Sequence, residues 1–253
     1  MTRVGSGIED GLRHAVAAVI PCFNAGHRVR PVVERVLTLV DRLIVVDDGC
    51  TDGCTNQLEE LGARVLRHDQ NEGKGHALIA GICAALGDAE TEAVCLLDAD
   101  GQHNPQEMPA LFEALHENAA DLVIGSRVFQ PATVPWRSRF GNKVTVACTA
   151  CLLGRRLPDT QCGFRMLSRR FAQAIVDTVP GGRYETEMEI VVKAIREGYS
   201  VVPVPIATIY EEGNKSSHFN KLRDSIRIYA RLFRVALGPP RDSAVRRGAG
   251  RPS

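Results

Sequence analysis

The chain has 253 residues, of which 44% are hydrophobic and 24% are charged, a balance typical of a globular protein with a substantial core. This composition argues against a disordered chain, a collagen-like repeat or a disulfide-stabilised miniprotein. Lysine and arginine number 31 against 30 acidic residues, and the net charge of +1 argues against nucleic-acid binding, which usually shows a clear basic excess.

The charge is unevenly distributed along the chain. Residues 215–253 contain 10 basic and 2 acidic side chains, a net charge of +8, so residues 1–214 carry a net charge of −7. An acidic body followed by a basic segment indicates that the C-terminal end binds a surface.

Up to residue 125, short β-rich runs alternate with helical patterns, which predicts a βαβ series with a mostly parallel sheet. The first apolar run is too short to span a bilayer and ends at Pro21 rather than at a small-residue cleavage site. We therefore expect a buried strand there and a cytoplasmic protein. Asn104 is a candidate N-cap with Pro105 at the first helical position. The predicted strands are 15–20, 43–46, 64–66, 93–97 and 122–124, and the predicted helices are 28–40, 55–61, 74–86 and 105–116.

The pattern changes after residue 125. A proline-containing loop is followed by a predicted helix that reaches residue 150, a turn over 158–163, a strand over 164–167, helices over 170–176 and 185–197, and a strand over 201–206. Pro203 and Pro205 place the last strand at a sheet edge, because proline cannot donate to a central ladder. We expect one domain over residues 1–237 and a disordered tail over 238–253.

The eight cysteines are scattered through apolar or helical contexts, and we expect reduced, mostly buried thiols. A zinc site formed by Cys50, Cys54, Cys148 and Cys151 is the alternative. The two pairs lie far apart in the sequence and lack the regular knuckle spacing, which disfavours that site.

Two neighbouring predicted strands end in paired carboxylates. Asp98 and Asp100 follow the strand 93–97, and hard oxygens at this spacing suit Mg²⁺ or Mn²⁺ bridging to a substrate phosphate. Asp47 and Asp48 follow the strand 43–46, where an aspartate can accept hydrogen bonds from a base or a ribose. The alternatives are a solvated loop for the first pair and ordinary Asp-Gly turn chemistry for the second.

Three further features are weaker signals. Residues 71–75 could bring backbone N–H groups and Lys74 close to a phosphate, but they match neither the P-loop spacing nor the G-x-G-x-x-G pattern. On the helix 185–197, Glu187 points away from the face shared by Glu185 and Glu189, and it is either a catalytic or acceptor-binding acid or a solvated one. His218 is either a metal or phosphate contact or a surface residue.

In their order and spacing these motifs resemble the family 2 glycosyltransferases of the GT-A fold, in particular dolichol-phosphate mannosyltransferases and bacterial polyprenyl-phosphate glycosyltransferases. The resemblance implies an α/β fold with a mostly parallel central sheet flanked by helices. The matching segments are 19–24, 45–53, 71–75, 98–102, 125–127, 159–165, 187–188 and 204–206.

The resemblance also implies roles for individual residues. A nucleotide pocket would be formed by Pro21, Phe23, Val46 and Asp48. The DXD motif Asp98-Ala99-Asp100, with Gln102, would hold the donor diphosphate and a divalent cation, Mg²⁺ or Mn²⁺. His218 would point at the metal, Arg127 would contact phosphate, and Glu187 would lie near the acceptor. The implied catalytic residues are Asp100, Arg127 and Glu187.

The implied reaction is transfer of a sugar, mannose or glucose, from a GDP- or UDP-linked donor with inversion at the sugar carbon. A phosphate acceptor carries roughly −1.5 to −2 charges at pH 7, so it needs cationic groups rather than a general base. Arg139 and Lys215 are candidates for that contact, and no base stands out, which favours a polyprenyl phosphate. Ala25 and Cys50 stand where the mannosyltransferases usually have Glu and Ser, so the donor stays open.

Apolar residues recur at helical spacing over 217–237, with arginines and lysines between them. Such a basic amphipathic helix predicts binding to a membrane surface or a membrane-protein partner, and the alternative is an ordinary helix packed on the domain. The rival functions are transfer to a soluble or polysaccharide acceptor with Glu187 as base, a nucleotidyltransferase, and a non-catalytic nucleotide-sugar-binding protein.

Overall fold

The computed structural model describes residues 4–127, 159–160, 162–183 and 185–207. In these residues a seven-stranded sheet is flanked by helices. The α-helices are α1 (Val4–Ala15), α2 (Val29–Leu37), α3 (Lys74–Leu86), α4 (Met108–Glu117), α5 (Arg169–Thr178) and α6 (Glu185–Arg196). The strands are β1 (Val16–Cys22), β2 (Arg42–Asp47), β3 (Arg64–Arg67), β4 (Ala93–Leu96), β5 (Leu122–Arg127), β6 (Arg165–Ser168) and β7 (Val201–Ile206).

The strand order is β3-β2-β1-β4-β6-β5-β7. Strands β1 to β4 are parallel, β5 is parallel to β7, and β6 runs antiparallel to both β4 and β5. Because β6 opposes both of its neighbours, β4 and β5 point the same way. The six parallel strands therefore end on one side of the sheet, which we call the carboxyl edge; Cys22, Asp47, Leu96 and Arg127 are strand ends there. This arrangement confirms the predicted α/β fold class.

The core lies between the sheet and its helices. All residues from Val16 to Ile20 are fully buried, as expected for a central parallel strand covered on both faces. Helix α3 packs across β1 and β2, and its Gly81 lies directly over the sheet. A β-carbon at Gly81 would lie 2.3 Å from Val19 Cγ1 and 3.1 Å from Val46 Cγ2, so glycine lets the helix approach the strands closely.

The predicted elements agree with the structure to within a few residues at most boundaries, and α3 begins and ends where predicted. The Asn104 side chain accepts a hydrogen bond from Gln106 N, and a 3₁₀ turn over Pro105–Glu107 leads into α4. Strand β7, with its two prolines, lies at a sheet edge as predicted.

Two parts of the prediction are wrong. Residues 55–61 form turns and a 3₁₀ helix, Glu59–Leu61, rather than an α-helix, because Gln57 adopts a φ of 65° and Gly62 a φ of 104°. Helix α1 was not predicted, since its three glycines give it a low intrinsic helix propensity.

Several sequence-based predictions concern residues outside the described ranges. These are the helix reaching residue 150, the basic helix over 217–237, the tail over 238–253 and hence the end of the domain at 237. Within the described ranges, no helix has both the length and the apolar character needed to cross a bilayer.

Replacing Gly81 by alanine tests the close contact between α3 and the sheet. Alanine has the higher helix propensity, yet its β-carbon would collide with Val19, so we expect a loss of about 2 kcal/mol in the free energy of unfolding. Gly11→Ala in α1 is the matched control: its β-carbon would lie 3.6 Å from Phe112 Cε1, an ordinary contact, so stability should stay equal or rise by up to about 1 kcal/mol. Urea denaturation measures the free energy of unfolding of both variants. Equal stability of the two variants would contradict the close packing of α3 on the sheet.

Candidate functional site

Asp98 and Asp100 lie in the loop that follows β4 at the carboxyl edge, and both are half-buried. The loop before β6 crosses directly over Asp98. A β-carbon at Gly163 would lie 2.4 Å from Asp98 Oδ2, so this crossing requires a residue without a side chain. Gly163 therefore belongs to the structural support of the acidic loop.

Lys74, the first residue of α3, joins two acids from distant parts of the chain. Its Nζ lies 2.6 Å from Asp98 Oδ1 and 3.1 Å from Glu187 Oε1 in the first turn of α6. Burial alone would lower the pKa of Lys74, but the two carboxylates outweigh it and raise that pKa. Burial likewise opposes ionisation of Asp98, yet Lys74 and His103 hold the pKa of Asp98 well below its ordinary value. Lys74 and Asp98 are therefore both charged at neutral pH.

Asp100 has the opposite electrostatic environment. Its pKa is raised, first by burial and then by the nearby negative charge of Asp98, while a hydrogen bond from Gln102 N to Oδ1 at 3.0 Å partly offsets the shift. A positive charge beside Asp100, in addition to that of Lys74, would offset the repulsion between the carboxylates of Asp98 and Asp100. Asp98, Asp100 and Gln102 offer hard oxygen donors, so this part of the site fits a divalent cation such as Mg²⁺ or Mn²⁺.

His103 is a site residue that sequence reasoning missed. Its ring is buried, its Nε2 lies 3.7 Å from Asp98 Oδ2, and it packs on Phe164 with ring centroids 5.6 Å apart. Its Nδ1 is buried and has no hydrogen-bond partner among the described residues. The signal in the sequence was its position directly after Gln102.

Asp48 is buried and has a structural role in this geometry. Its two carboxylate oxygens accept hydrogen bonds from Asn71 Nδ2, Glu72 N and Gly73 N, each at 2.9 Å. A ring nitrogen of His68 lies 2.9 Å from Oδ1. These four partners match the acceptor capacity of a carboxylate, so Asp48 fastens the loop 68–73 to the end of β2. A bound base or ribose would have to share these oxygens with protein donors.

The remaining residues predicted for the nucleotide pocket occupy different environments. Pro21 and Phe23 are half-buried at the end of β1, next to the turn that follows β2. The side chain of Val46 is fully buried under Gly81, so only its backbone is left to face a ligand. Ala99 is buried between the two aspartates of the acidic loop.

Arg127 ends β5 and is held by a bidentate ion pair. Its Nε and Nη2 lie 2.6 Å and 3.1 Å from the two carboxylate oxygens of the fully buried Asp159. Arg165 is fully buried and donates to the backbone carbonyls of Thr160, Cys162 and Glu187. These arginines fix the loop before β6 against β5 and α6, and thereby position Gly163 over Asp98.

The structure brings Asp98, Asp100, Gln102 and Glu187 into one site. It places Arg127 at the end of β5, which β6 separates from β4. Three other predicted residues, Arg139, Lys215 and His218, lie outside the described ranges. Their roles stay predictions.

Comparison with known proteins gives the family. Residues 17–176 match the profile of Glycosyl transferase family 2. The chain is 32% identical over 231 residues to polyprenol monophosphomannose synthase of Mycolicibacterium smegmatis, covering 86% of this chain and 84% of that protein. It is 27% identical over 241 residues to UDP-N-acetylglucosamine–dolichyl-phosphate N-acetylglucosaminyltransferase of Methanococcus voltae, covering 87% and 95%.

Solved structures show the same fold at low sequence identity. Glucosyl-3-phosphoglycerate synthase of Mycobacterium tuberculosis superposes with a TM-score of 0.69 at 22% identity, covering 95% of this chain and 86% of that one. The same enzyme solved with Mn²⁺ and UDP-glucose also gives a TM-score of 0.69, at 21% identity and with 95% and 85% coverage. These matches identify the fold as GT-A.

Replacing Lys74 by methionine tests the contact between Lys74, Asp98 and Glu187. Asp98, whose pKa is lowered in the folded protein, stabilises the fold above the unfolded-state pKa of about 4, and this contribution is lost as the pH falls. Without Lys74, the half-buried Asp98 loses a cation and its pKa rises, so the variant gains stability on acidification. We therefore expect a loss of about 2 kcal/mol at about pH 7 that shrinks towards about pH 5.

Lys193→Met is the matched control, because Lys193 on α6 pairs with Glu197, four residues later and just past the end of the helix, at 2.7 Å. An ion pair of this type contributes about 0.5 kcal/mol or less, and its effect should be nearly constant between about pH 7 and about pH 5. Urea denaturation of both variants at the two pH values is the measurement. The same pH response in both would rule out the buried charge cluster.

Proposed function

Since the chain belongs to glycosyl transferase family 2, and is therefore a glycosyltransferase, we propose that it moves a sugar from a nucleotide donor to a polyprenyl or dolichyl phosphate. The single observation that supports the acceptor class is the set of relatives, whose names include polyprenol, dolichyl-phosphate and undecaprenyl-phosphate transferases. The proposed donor is GDP- or UDP-linked mannose or glucose, and the proposed reaction is one displacement with inversion.

The acidic loop is the proposed site for the donor diphosphate, with Asp98, Asp100 and Gln102 holding Mg²⁺ or Mn²⁺ and His218 as a further ligand. A bound cation supplies electrostatic stabilisation of the negative charge that develops on the departing nucleotide. The raised pKa of Asp100 supports this assignment, because burial and the negative charge of Asp98 both oppose its ionisation and a bound cation would offset them. Ala99, Pro21, Phe23, the Val46 backbone and Asp48 are the proposed nucleotide contacts.

Lys74 positions Asp98 in this proposal. Its ammonium group keeps Asp98 ionised and fixes Oδ1, while Glu187 holds the ammonium from the other side. Arg127 is oriented by Asp159 at the end of β5, where its guanidinium is proposed to contact phosphate. These groups bind and orient without transferring a proton.

A phosphate acceptor agrees with the contacts of Glu187. Its carboxylate is buried and paired with Lys74, whereas a general base for an alcohol must be able to accept the substrate proton. A phosphate monoester is already anionic and needs only cationic groups for positioning. Arg139 and Lys215 are the proposed acceptor-phosphate contacts.

The proposed location is the cytoplasmic face of a membrane, reached through the segment 217–237 or a membrane-protein partner. Each lysine or arginine near an anionic leaflet contributes about 1 kcal/mol to surface binding. This part of the proposal relies on the amphipathic pattern in the sequence, since the segment lies outside the described residues.

A donor panel tests the proposed function. The full chain is incubated with GDP-mannose, UDP-glucose or UDP-N-acetylglucosamine, Mn²⁺ or Mg²⁺, and either polyprenyl phosphate or 3-phosphoglycerate. We expect a labelled product that partitions into organic solvent, a released nucleoside diphosphate and loss of activity with a chelator. Labelled product only from the water-soluble acceptor would overturn the lipid acceptor. Release of a sugar 1-phosphate in place of a nucleoside diphosphate would indicate nucleotidyl transfer.

Two conservative variants separate metal binding from general-base catalysis. Asp100→Asn is expected to lower kcat by about 100-fold or more, as is typical when a group that stabilises developing charge is lost. Glu187→Gln keeps a hydrogen-bond acceptor for Lys74 and should lower kcat less than about tenfold, with an unchanged pH profile. A loss of more than about 100-fold in Glu187→Gln, together with loss of the acidic limb of the profile, would instead identify Glu187 as the base for an alcohol acceptor.

A further inference from the structure

Three cysteine thiols meet at the carboxyl edge, at the ends of β1 and β2 rather than in the acidic loop after β4. Cys22 ends β1, and Cys50 and Cys54 lie in the turn that follows β2. Cys22 Sγ lies 3.5 Å from Cys54 Sγ, Cys54 Sγ lies 3.7 Å from Cys50 Sγ, and all three sulfur atoms lie within 4.8 Å of one another. Nothing in the proposed sugar transfer uses this cluster.

The spacing of the thiols is that of a metal-thiolate site. In a tetrahedral site with Zn–S bonds of about 2.3 Å, two sulfur ligands lie about 3.8 Å apart. Two of the three sulfur–sulfur separations, 3.5 Å and 3.7 Å, are close to that edge length. Three converging thiols also exceed the two that a disulfide would need.

The surroundings favour a bound cation over three neutral thiols. Asn24 N donates to Cys50 Sγ at 3.3 Å, an outer-shell hydrogen bond of the kind that stabilises a thiolate ligand. Asp47 lies next to Cys50, and its Oδ1 accepts from Cys50 N at 2.7 Å, so the local charge is negative before any thiol ionises.

The turn itself is held in a shape that presents the thiols. Asp52 accepts from Cys54 N at 3.1 Å and from Gly26 N at 2.9 Å, which ties the turn to the segment after β1. Cys22 is buried, whereas Cys50 and Cys54 are half-exposed. The cluster is thus closed on the core side and open to solvent on the other, where a water molecule can supply a fourth ligand.

We propose that Cys22, Cys50 and Cys54 bind a thiophilic divalent cation of the Zn²⁺ class, at a site separate from the oxygen ligands Asp98 and Asp100. Each thiol that ligates the metal loses its proton to solvent, so binding weakens as the pH falls. The bound ion would fasten the turn after β2 to the end of β1, beside Phe23 and Asp48. The inference stands on the three thiols alone and is independent of the sugar acceptor.

Metal titration of the reduced full-length chain tests the site. The protein is treated with a chelator and a phosphine reductant and kept in excess Mg²⁺, which occupies oxygen sites. It is then titrated with Co²⁺ and, in competition with a chromophoric chelator, with Zn²⁺. We expect one equivalent of Co²⁺ to give a thiolate-to-cobalt charge-transfer band and the visible bands of tetrahedral cobalt, which Zn²⁺ then abolishes.

Serine variants identify the ligands. Cys22→Ser, Cys50→Ser and Cys54→Ser should each weaken Zn²⁺ binding by at least about 100-fold, the upper end of the loss seen for outer-shell partners alone. The exposed Cys83 on α3 is the matched control, and Cys83→Ser should bind Zn²⁺ as the unaltered chain does. Circular dichroism checks that each variant is folded.

Three outcomes would overturn the metal site: absence of the charge-transfer band in the reduced chain, Zn²⁺ affinity unchanged in all three variants, or equal loss in Cys83→Ser. A fourth such outcome comes from counting free thiols on the protein as purified, without reductant. A Cys22–Cys54 disulfide that persists in the presence of Zn²⁺ would show that the cluster is a redox pair instead.

Discussion

The buried contact of Lys74 with Asp98 and Glu187 is the interaction on which the geometry of the site depends. It joins the first residue of α3, the loop after β4 and the first turn of α6, three segments that are far apart in the sequence. A half-buried carboxylate is unfavourable without a partner, and Lys74 supplies the charge that keeps Asp98 ionised. Burial and the negative charge of Asp98 raise the pKa of Asp100, so added positive charge beside Asp100 would favour its ionised form.

Close backbone packing makes this contact possible. A β-carbon at Gly75 would lie 2.0 Å from Thr186 Oγ1, so the start of α3 lies directly against the start of α6. Gly163 allows the loop before β6 to cross Asp98, and Arg165 fastens that loop to α6 through the carbonyl of Glu187. The two glycines and Arg165 therefore determine where the side chains of Lys74, Asp98 and Glu187 lie.

Much of the fold was predictable because its signals are local. Apolar runs, the Asn104 cap and the two prolines of β7 each depend on neighbours within a few residues, and the structure agrees with them. The break at Gln57 in the predicted helix 55–61 was not predictable, since a positive φ at a non-glycine residue depends on tertiary contacts. Placing Asp98 and Asp100 at the carboxyl edge required only the rule that parallel strands end on one side of a sheet.

The sequence by itself determined the α/β class, the acidic loop and the resemblance to a family of glycosyltransferases, because these reside in ordered motifs along the chain. Only the tertiary structure decided which partners those motifs have. Lys74, a weak signal for a phosphate-binding loop in the sequence, proved to be the partner of Asp98. Asp48 proved to fasten a loop. Cys22 lies beside Cys50 and Cys54, which are 28 and 32 residues further along the chain. The physical reason is that sheet order and loop crossings, rather than sequence separation, determine which charges and thiols are desolvated together.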